Sequence, residues 1–200
     1  MKQLIYIHGG MCHPDNDAFC KALASRDYNP FEDKKNRKDW FEELKGSYQI
    51  IRPEMPNKNM AMYSAWKIWF EKIFPYLNNE DLVVVGHSLG AMFLVKYIGE
   101  NGFPKKIAQL HLLSTVFDES DMSDEEKYSG DFVYNPQIIP NIEQRADKIF
   151  LYHSTDDELV PYTHSQKIIT YLPKAKFMTF HDRGHFFQSE IPELLENILS

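Results

Sequence analysis

No apolar run in this 200-residue chain approaches the roughly 20 residues that a membrane-crossing helix needs. Cysteine is scarce: only Cys12 and Cys20 are present, both near the start. Nothing in their placement demands a disulfide, and the pattern suits a reducing cytoplasm. Positive charge is in deficit, with 22 Lys and Arg against 29 Asp and Glu and a net charge of −7. A phosphate-binding surface of the nucleic-acid type is therefore not expected. The basic run Lys34-Lys35-Asn36-Arg37-Lys38 is surrounded by Glu32, Asp33, Asp39, Glu42 and Glu43, and it reads as a solvated face. Repeats, low-complexity tracts and linkers are missing, and Met1-Lys2-Gln3-Leu4 enters a strand pattern with no signal-peptide character. These absences lead us to expect a cytoplasmic protein with no membrane insertion and no nucleic-acid partner. The 43% hydrophobic and 26% charged content over 200 residues suits one domain, 1–200, with a sizeable core.

What is present is an alternation of strands and helices. Short apolar runs read as strands at residues 4–7, 48–52, 82–85, 107–114, 148–154 and 176–180. Helical patterns fall at 14–25, 37–45, 61–76, 91–98, 161–171 and 189–199. In the 61–76 helix, Met62, Trp66, Trp69, Phe70 and Ile73 form a stripe expected to pack on the sheet. Strictly alternating elements imply a three-layer α/β/α sandwich around a mostly parallel sheet of about six strands. Between residues 115 and 145 the pattern weakens into an acidic loop with apolar residues added, a candidate short lid.

The third strand leads into Gly86-His87-Ser88-Leu89-Gly90, which fits G-x-S-x-G between a strand and a helix. In that context a serine sits on a tight turn with its hydroxyl pushed out at the C-terminal edge of the sheet. A serine hydroxyl is a poor nucleophile at neutral pH and needs a base held by an acid. His185, in Asp182-Arg183-Gly184-His185-Phe186-Phe187, follows the last strand and opens on the same edge. The acid belongs between serine and histidine in this triad order. Strand five ends in Asp156-Asp157-Glu158-Leu159-Val160-Pro161, and the D-x-x-V-P register favours Asp157 over Asp156. Acyl transfer also needs an oxyanion hole. The expected donors are the Leu89 N–H and one from His8-Gly9-Gly10-Met11, Gly10 first and Met11 second. His8 organises that loop without carrying protons, and His87 points away from the Ser88 hydroxyl. No metal or cofactor is expected. His8, His13 and Asp15 are close in sequence, and His181 and His185 have helical spacing, but the latter pair does not lie on a helix.

The motifs His8-Gly9-Gly10, Gly86-His87-Ser88-Leu89-Gly90, Asp157 through Val160-Pro161 and Gly184-His185-Phe186 resemble those of the α/β-hydrolase superfamily. Met55-Pro56 before a Trp-containing helix, the Ser129-Gly130 and Phe132 segment, and Ser154-Thr155-Asp156-Asp157 are similar to the small serine hydrolases akin to retinoblastoma-binding protein 9 and the bacterial YdeN-like proteins. The resemblance spans nearly the whole chain, which departs from it by a longer polar segment between Cys20 and Ser47. It implies an α/β-hydrolase fold with little or no cap, Ser88 as nucleophile, Asp157 as orienting acid and His185 as base. The expected activity is hydrolysis of carboxylic esters or thioesters of small acyl substrates through an acyl-enzyme. The alternatives are an acyltransferase with the same triad and a non-catalytic binding protein on the same fold.

Overall fold

Six strands, all parallel, form one sheet in the order β2-β1-β3-β4-β5-β6. They are β1 (Lys2–Ile7), β2 (Tyr48–Ile51), β3 (Leu82–His87), β4 (Ile107–Leu113), β5 (Ala146–Ser154) and β6 (Lys176–Phe180). The computed structural model describes residues 1–27, 40–78, 80–124 and 127–200. The basic run at 34–38 and the first part of the expected 37–45 helix lie outside the described residues. Within that helix, Trp40–Leu44 forms a 3-10 turn.

The central strands are mostly apolar because both of their faces are covered. All six residues of β3 are buried. Leu82 and Val84 point to one face with Ile5 and Ile7, while Val83 and Val85 point to the other with Leu4. On the first face lie α2 (Tyr63–Glu71), α3 (Leu89–Asn101) and α4 (Thr163–Ile169), which contribute Trp66, Phe70, Phe93 and Ile168. The second face is closed by Trp40, Phe41 and Leu44 and by Ile191, Leu194 and Ile198 at and within α5 (Pro192–Leu199). A further helix, α1 (Asn16–Ser25), buries no residue and is capped by Asp15, whose carboxylate accepts from the Ala18 N–H at 2.8 Å.

The expected stripe on the 61–76 helix needs correction. Trp66 and Phe70 are fully buried, but Met62 and Trp69 are 50% and 45% exposed, and Tyr63 takes the inward place. At about 100° per residue, positions 63, 66 and 70 share one face and positions 62 and 69 fall on its flank. That rotation is fixed from outside the helix. Asp131 accepts from the Tyr63 and Ser64 N–H groups at 2.6 and 3.0 Å and so caps α2. The neighbouring Phe132 ring packs edge-on to Trp66, with centroids 5.2 Å apart. The helix proper ends at Glu71, and Phe74–Tyr76 is a separate 3-10 turn around Pro75.

The candidate lid divides in the same way. Its second half, including the 3-10 segment Pro136–Gln144, inserts Phe132, Ile139 and Ile142 fully into the core. Asn141 donates to the Gly99 carbonyl of α3 at 2.9 Å. Only its first half runs along the C-terminal edge of the sheet. No helix among the described residues is long and apolar enough to cross a membrane.

Candidate active site

A sheet with all strands parallel sends the chain out at one edge after β1, β3, β4, β5 and β6, and the His8–Met11 loop, Ser88, Ser114, Asp157 and His185 each sit in one of those exits. Ser88 follows β3 directly. Its φ of 55° and ψ of −124° place a non-glycine residue in a backbone region that L side chains rarely adopt. The surrounding structure holds it there. The Ser88 N–H donates to the Leu113 carbonyl of β4 at 2.9 Å, and its carbonyl accepts from Ala91 and Met92 at 2.9 and 3.1 Å, starting α3. The flanking glycines are required by contact. A Cβ on Gly90 would lie 2.5 Å from the His8 carbonyl oxygen, and one on Gly86 would lie 2.8 Å from the Ala91 Cα. The loop after β1 also leans on the serine, since a Cβ on Gly9 would stand 3.6 Å from the Ser88 Oγ.

His185 Nδ1 lies 3.0 and 2.9 Å from the two carboxylate oxygens of Asp157. A carboxylate can only accept, so Nδ1 carries the proton and Nε2 keeps its lone pair. Asp157 is further bound by the Leu159 and Val160 N–H groups on Oδ1, each at 3.0 Å, and by the Ser114 hydroxyl on Oδ2 at 2.7 Å. Its side chain is wholly buried, with His153 Nε2 at 3.4 Å from Oδ2. Burial alone would raise the carboxyl pKa. The hydrogen bonds of His153 and His185, the His185 charge and the Val160 N–H outweigh it and hold the group well below the usual carboxylate range. Asp156 faces elsewhere, accepting from the Ser154 hydroxyl and from the Gly184 N–H at 3.0 Å.

The other histidines separate cleanly. His87 donates through Nε2 to the His185 carbonyl at 2.7 Å, and burial, followed by the nearby His185 charge, pushes its pKa down to about 3. His8 donates from Nδ1 to the Gly9 carbonyl at 2.6 Å and accepts the Met55 N–H on Nε2 at 2.9 Å, so both nitrogens serve the loop. Burial, helped by the Lys58 and Arg52 charges, keeps its pKa below the ordinary histidine value. His181 faces Thr155 at 2.9 Å, away from His185's partner. In the same loop as His8, the Met11 N–H donates to the Lys58 carbonyl at 2.7 Å, so that donor is committed elsewhere. Gly10 has no such bond among the described residues.

Gly9, Gly10, Ser88, Leu89 and His185 line one cavity of about 830 Å³. Its lining includes Met122, Tyr128 and Ser129 from the first half of the candidate lid. No motif in the sequence marks Ser114 or His153. Ser114 reads there as the last residue of a strand, and His153 as one polar residue inside another. The only signal was that each lies near the C-terminal end of a strand, on the edge where Ser88 emerges.

No family model matches the chain. It is 28% identical over 153 residues to the serine hydrolase RBBP9 of Rattus norvegicus, covering 76% of this chain and 77% of that one. Among solved structures it superposes on the ydeN gene product of B. subtilis with a TM-score of 0.70 at 17% identity, covering 100% of this chain and 97% of that one. A meta-cleavage product hydrolase of Pseudomonas fluorescens IP01 gives a TM-score of 0.66 at 12% identity over 99% and 88%. With one open parallel sheet, a serine on the turn after its third strand and these relatives, the chain has the α/β-hydrolase fold and resembles the small serine hydrolases of the RBBP9 and YdeN kind.

Proposed function

We propose that this protein is a cytoplasmic serine hydrolase of carboxylic esters or thioesters, acting as one domain on a small-molecule acyl substrate without metal or cofactor. The observation that carries the reading is the bidentate grip of buried Asp157 on Nδ1 of His185, a residue that lines the same cavity as Ser88. That grip leaves His185 Nε2 as the free base.

In the proposed reaction the Ser88 Oγ attacks the acyl carbonyl carbon while His185 Nε2 takes the hydroxyl proton. Asp157 holds the resulting imidazolium through Nδ1. The tetrahedral oxyanion is met by the N–H groups of Leu89, at the first turn of α3, and Gly10. Such donors are worth about 3 kcal/mol each in the barrier. Met11 is left out because its N–H is already bonded. The imidazolium then returns its proton to the leaving alcohol or thiol. Water, deprotonated by His185, attacks the acyl carbon; the bond to Ser88 Oγ breaks, the imidazolium returns the proton to Oγ, and the acid leaves. The name of the 28%-identical relative, a serine hydrolase, supports the same class.

The cavity is open enough to seat acyl and leaving groups together, with Met122, Tyr128 and Ser129 as a partial cover. A p-nitrophenyl ester panel of increasing acyl length, run beside Ser88→Ala, tests the proposal. Turnover that prefers short chains and disappears in Ser88→Ala is expected. Turnover retained by Ser88→Ala would remove the serine from the mechanism.

A further inference from the structure

The C-terminal end of β4 touches both ends of the triad proposed above. The Leu113 carbonyl accepts the Ser88 N–H at 2.9 Å, and the next residue, Ser114, donates its hydroxyl to Asp157 Oδ2 at 2.7 Å. Ser114 is fully buried, and its own N–H is fixed to the Tyr152 carbonyl of β5 at 2.9 Å. Its φ of 45° is the left-handed conformation that a non-glycine residue adopts at a cost. An extended residue here would continue the alternation of β4 and turn its side chain elsewhere. The strain goes together with a hydroxyl that reaches across to the next strand's loop.

We propose that Ser114 is a positioning residue for the reaction: it fixes the orientation of the Asp157 carboxylate, and through it the His185 imidazole, relative to Ser88. The inference rests on the triad reading of the preceding section. Oδ1 is set by two backbone N–H groups, which tie it to its own loop. Among the described residues Oδ2 has side-chain partners alone, namely Ser114 at 2.7 Å, His185 at 2.9 Å and His153 at 3.4 Å. Of these, Ser114 alone comes from the end of β4, the strand between β3 and β5 in the sheet. Without its hydroxyl the carboxylate keeps its Oδ1 bonds and His185, but Oδ2 loses its shortest contact and the pull toward His153 is no longer opposed from the end of β4. His153 itself is anchored by Ser165 at 2.7 Å and the Val160 carbonyl at 2.9 Å.

The hydroxyl also shares the carboxylate's charge. When it is removed, more of that charge falls on the imidazolium, which favours the protonated base and moves the acid limb of the rate profile to higher pH. The titratable groups facing the carboxylate are His185 from the loop after β6, His153 from β5, the adjacent Asp156 and, at the end of β3, His87.

Ser114→Ala and Ser114→Gly separate this role from a merely structural one. Glycine accepts the left-handed backbone without strain, so the second variant keeps the fold even where alanine strains it. For both we expect kcat to fall on the order of 10- to 100-fold with KM nearly unchanged, the range in which a misplaced orienting group acts. The acid limb of kcat/KM should rise by a few tenths of a pH unit. Folded variants with the wild-type kcat and the wild-type acid limb would overturn the role of Ser114. Turnover retained by Ser88→Ala, measured in parallel, would instead overturn the triad reading on which it rests.

Discussion

At the scale of single residues, two adjacent aspartates have been given different work. Asp157 sits at zero side-chain exposure and holds His185, whereas Asp156 pins the Gly184 N–H and the Ser154 hydroxyl outside. Asp157→Asn places an amide where a proton acceptor is needed and favours the wrong imidazole tautomer, so kcat should fall by roughly four orders of magnitude. Asp156→Asn keeps an acceptor oxygen for Gly184 and should stay within about tenfold of wild type, a spacing effect transmitted through one loop. Steady-state kinetics on the pair checks both figures, and the opposite ranking would reverse the assignment. The D-x-x-V-P register in the sequence favours Asp157, and the local geometry gives that proposal a physical reason. The Leu159 and Val160 N–H groups turn back onto Oδ1, so the residues before the proline build part of the carboxylate's own cradle. Ser114 was not legible in the same way, because its importance lies in a backbone angle and a cross-strand bond that a strand pattern does not carry.

At the scale of elements, the turn after β3 works because two glycines let three pieces of backbone meet. Gly90 is the tighter case, with the carbonyl oxygens of Ile7 and His8 against the place where a Cβ would stand. Backbone carbonyls at the end of a central strand have little room to yield. Gly90→Ala should therefore cost on the order of 3 kcal/mol and push the His8–Gly10 loop away from Ser88. A thermal melt, with activity measured on the folded fraction, reads both effects; an unchanged Tm would contradict the close approach. This motif was fully visible in sequence, since the strand, small-residue turn and helix are local. The face presented by α2 was not. Helical spacing gave the right period, but the choice of Tyr63 over Met62 and Trp69 depends on Asp131 and Phe132, which arrive from a segment 60 to 70 positions away with no periodicity of its own. The same segment accounts for the overestimated lid. Its apolar residues looked like a cover in sequence, yet Phe132, Ile139 and Ile142 complete the core beneath α2 and α3.

At the scale of the whole molecule, the fold carries a buried acid-sensitive network on the face opposite α3. His111 is fully buried on β4, with Nδ1 at 2.8 Å from the Tyr152 hydroxyl and Nε2 at 2.9 Å from Gln109 Oε1, and its ring stacks on Phe150 at 4.8 Å. Burial, followed by the Lys148 charge, pushes its pKa down to about 3, while in the unfolded chain it titrates near the ordinary 6.5. Between those values the unfolded state binds the extra proton, so stability is full above about 6.5 and falls as pH drops toward 3. His87 acts with the same sign over the same window. Urea unfolding from pH 7 down to 4.5 should show a loss that is smaller in His111→Gln by up to about 1.4 kcal/mol per pH unit, and equal slopes would place the titration elsewhere. The parallel direction of the sheet and the clustering of the exits after β1, β3, β5 and β6 at one edge follow from the strand–helix alternation read in the sequence; the strand order β2-β1-β3-β4-β5-β6 does not. The partners that fix each side chain come from other strands and follow only from the assembled sheet. The central claim is that Ser88, activated through His185, is the nucleophile. Its most direct measurement is labelling of the intact protein with a fluorophosphonate, followed by peptide mass analysis. A single phosphonyl adduct on Ser88, absent in Ser88→Ala and formed far more slowly in His185→Gln, is the expected result; no adduct, or an adduct on another residue that persists in Ser88→Ala, would contradict it.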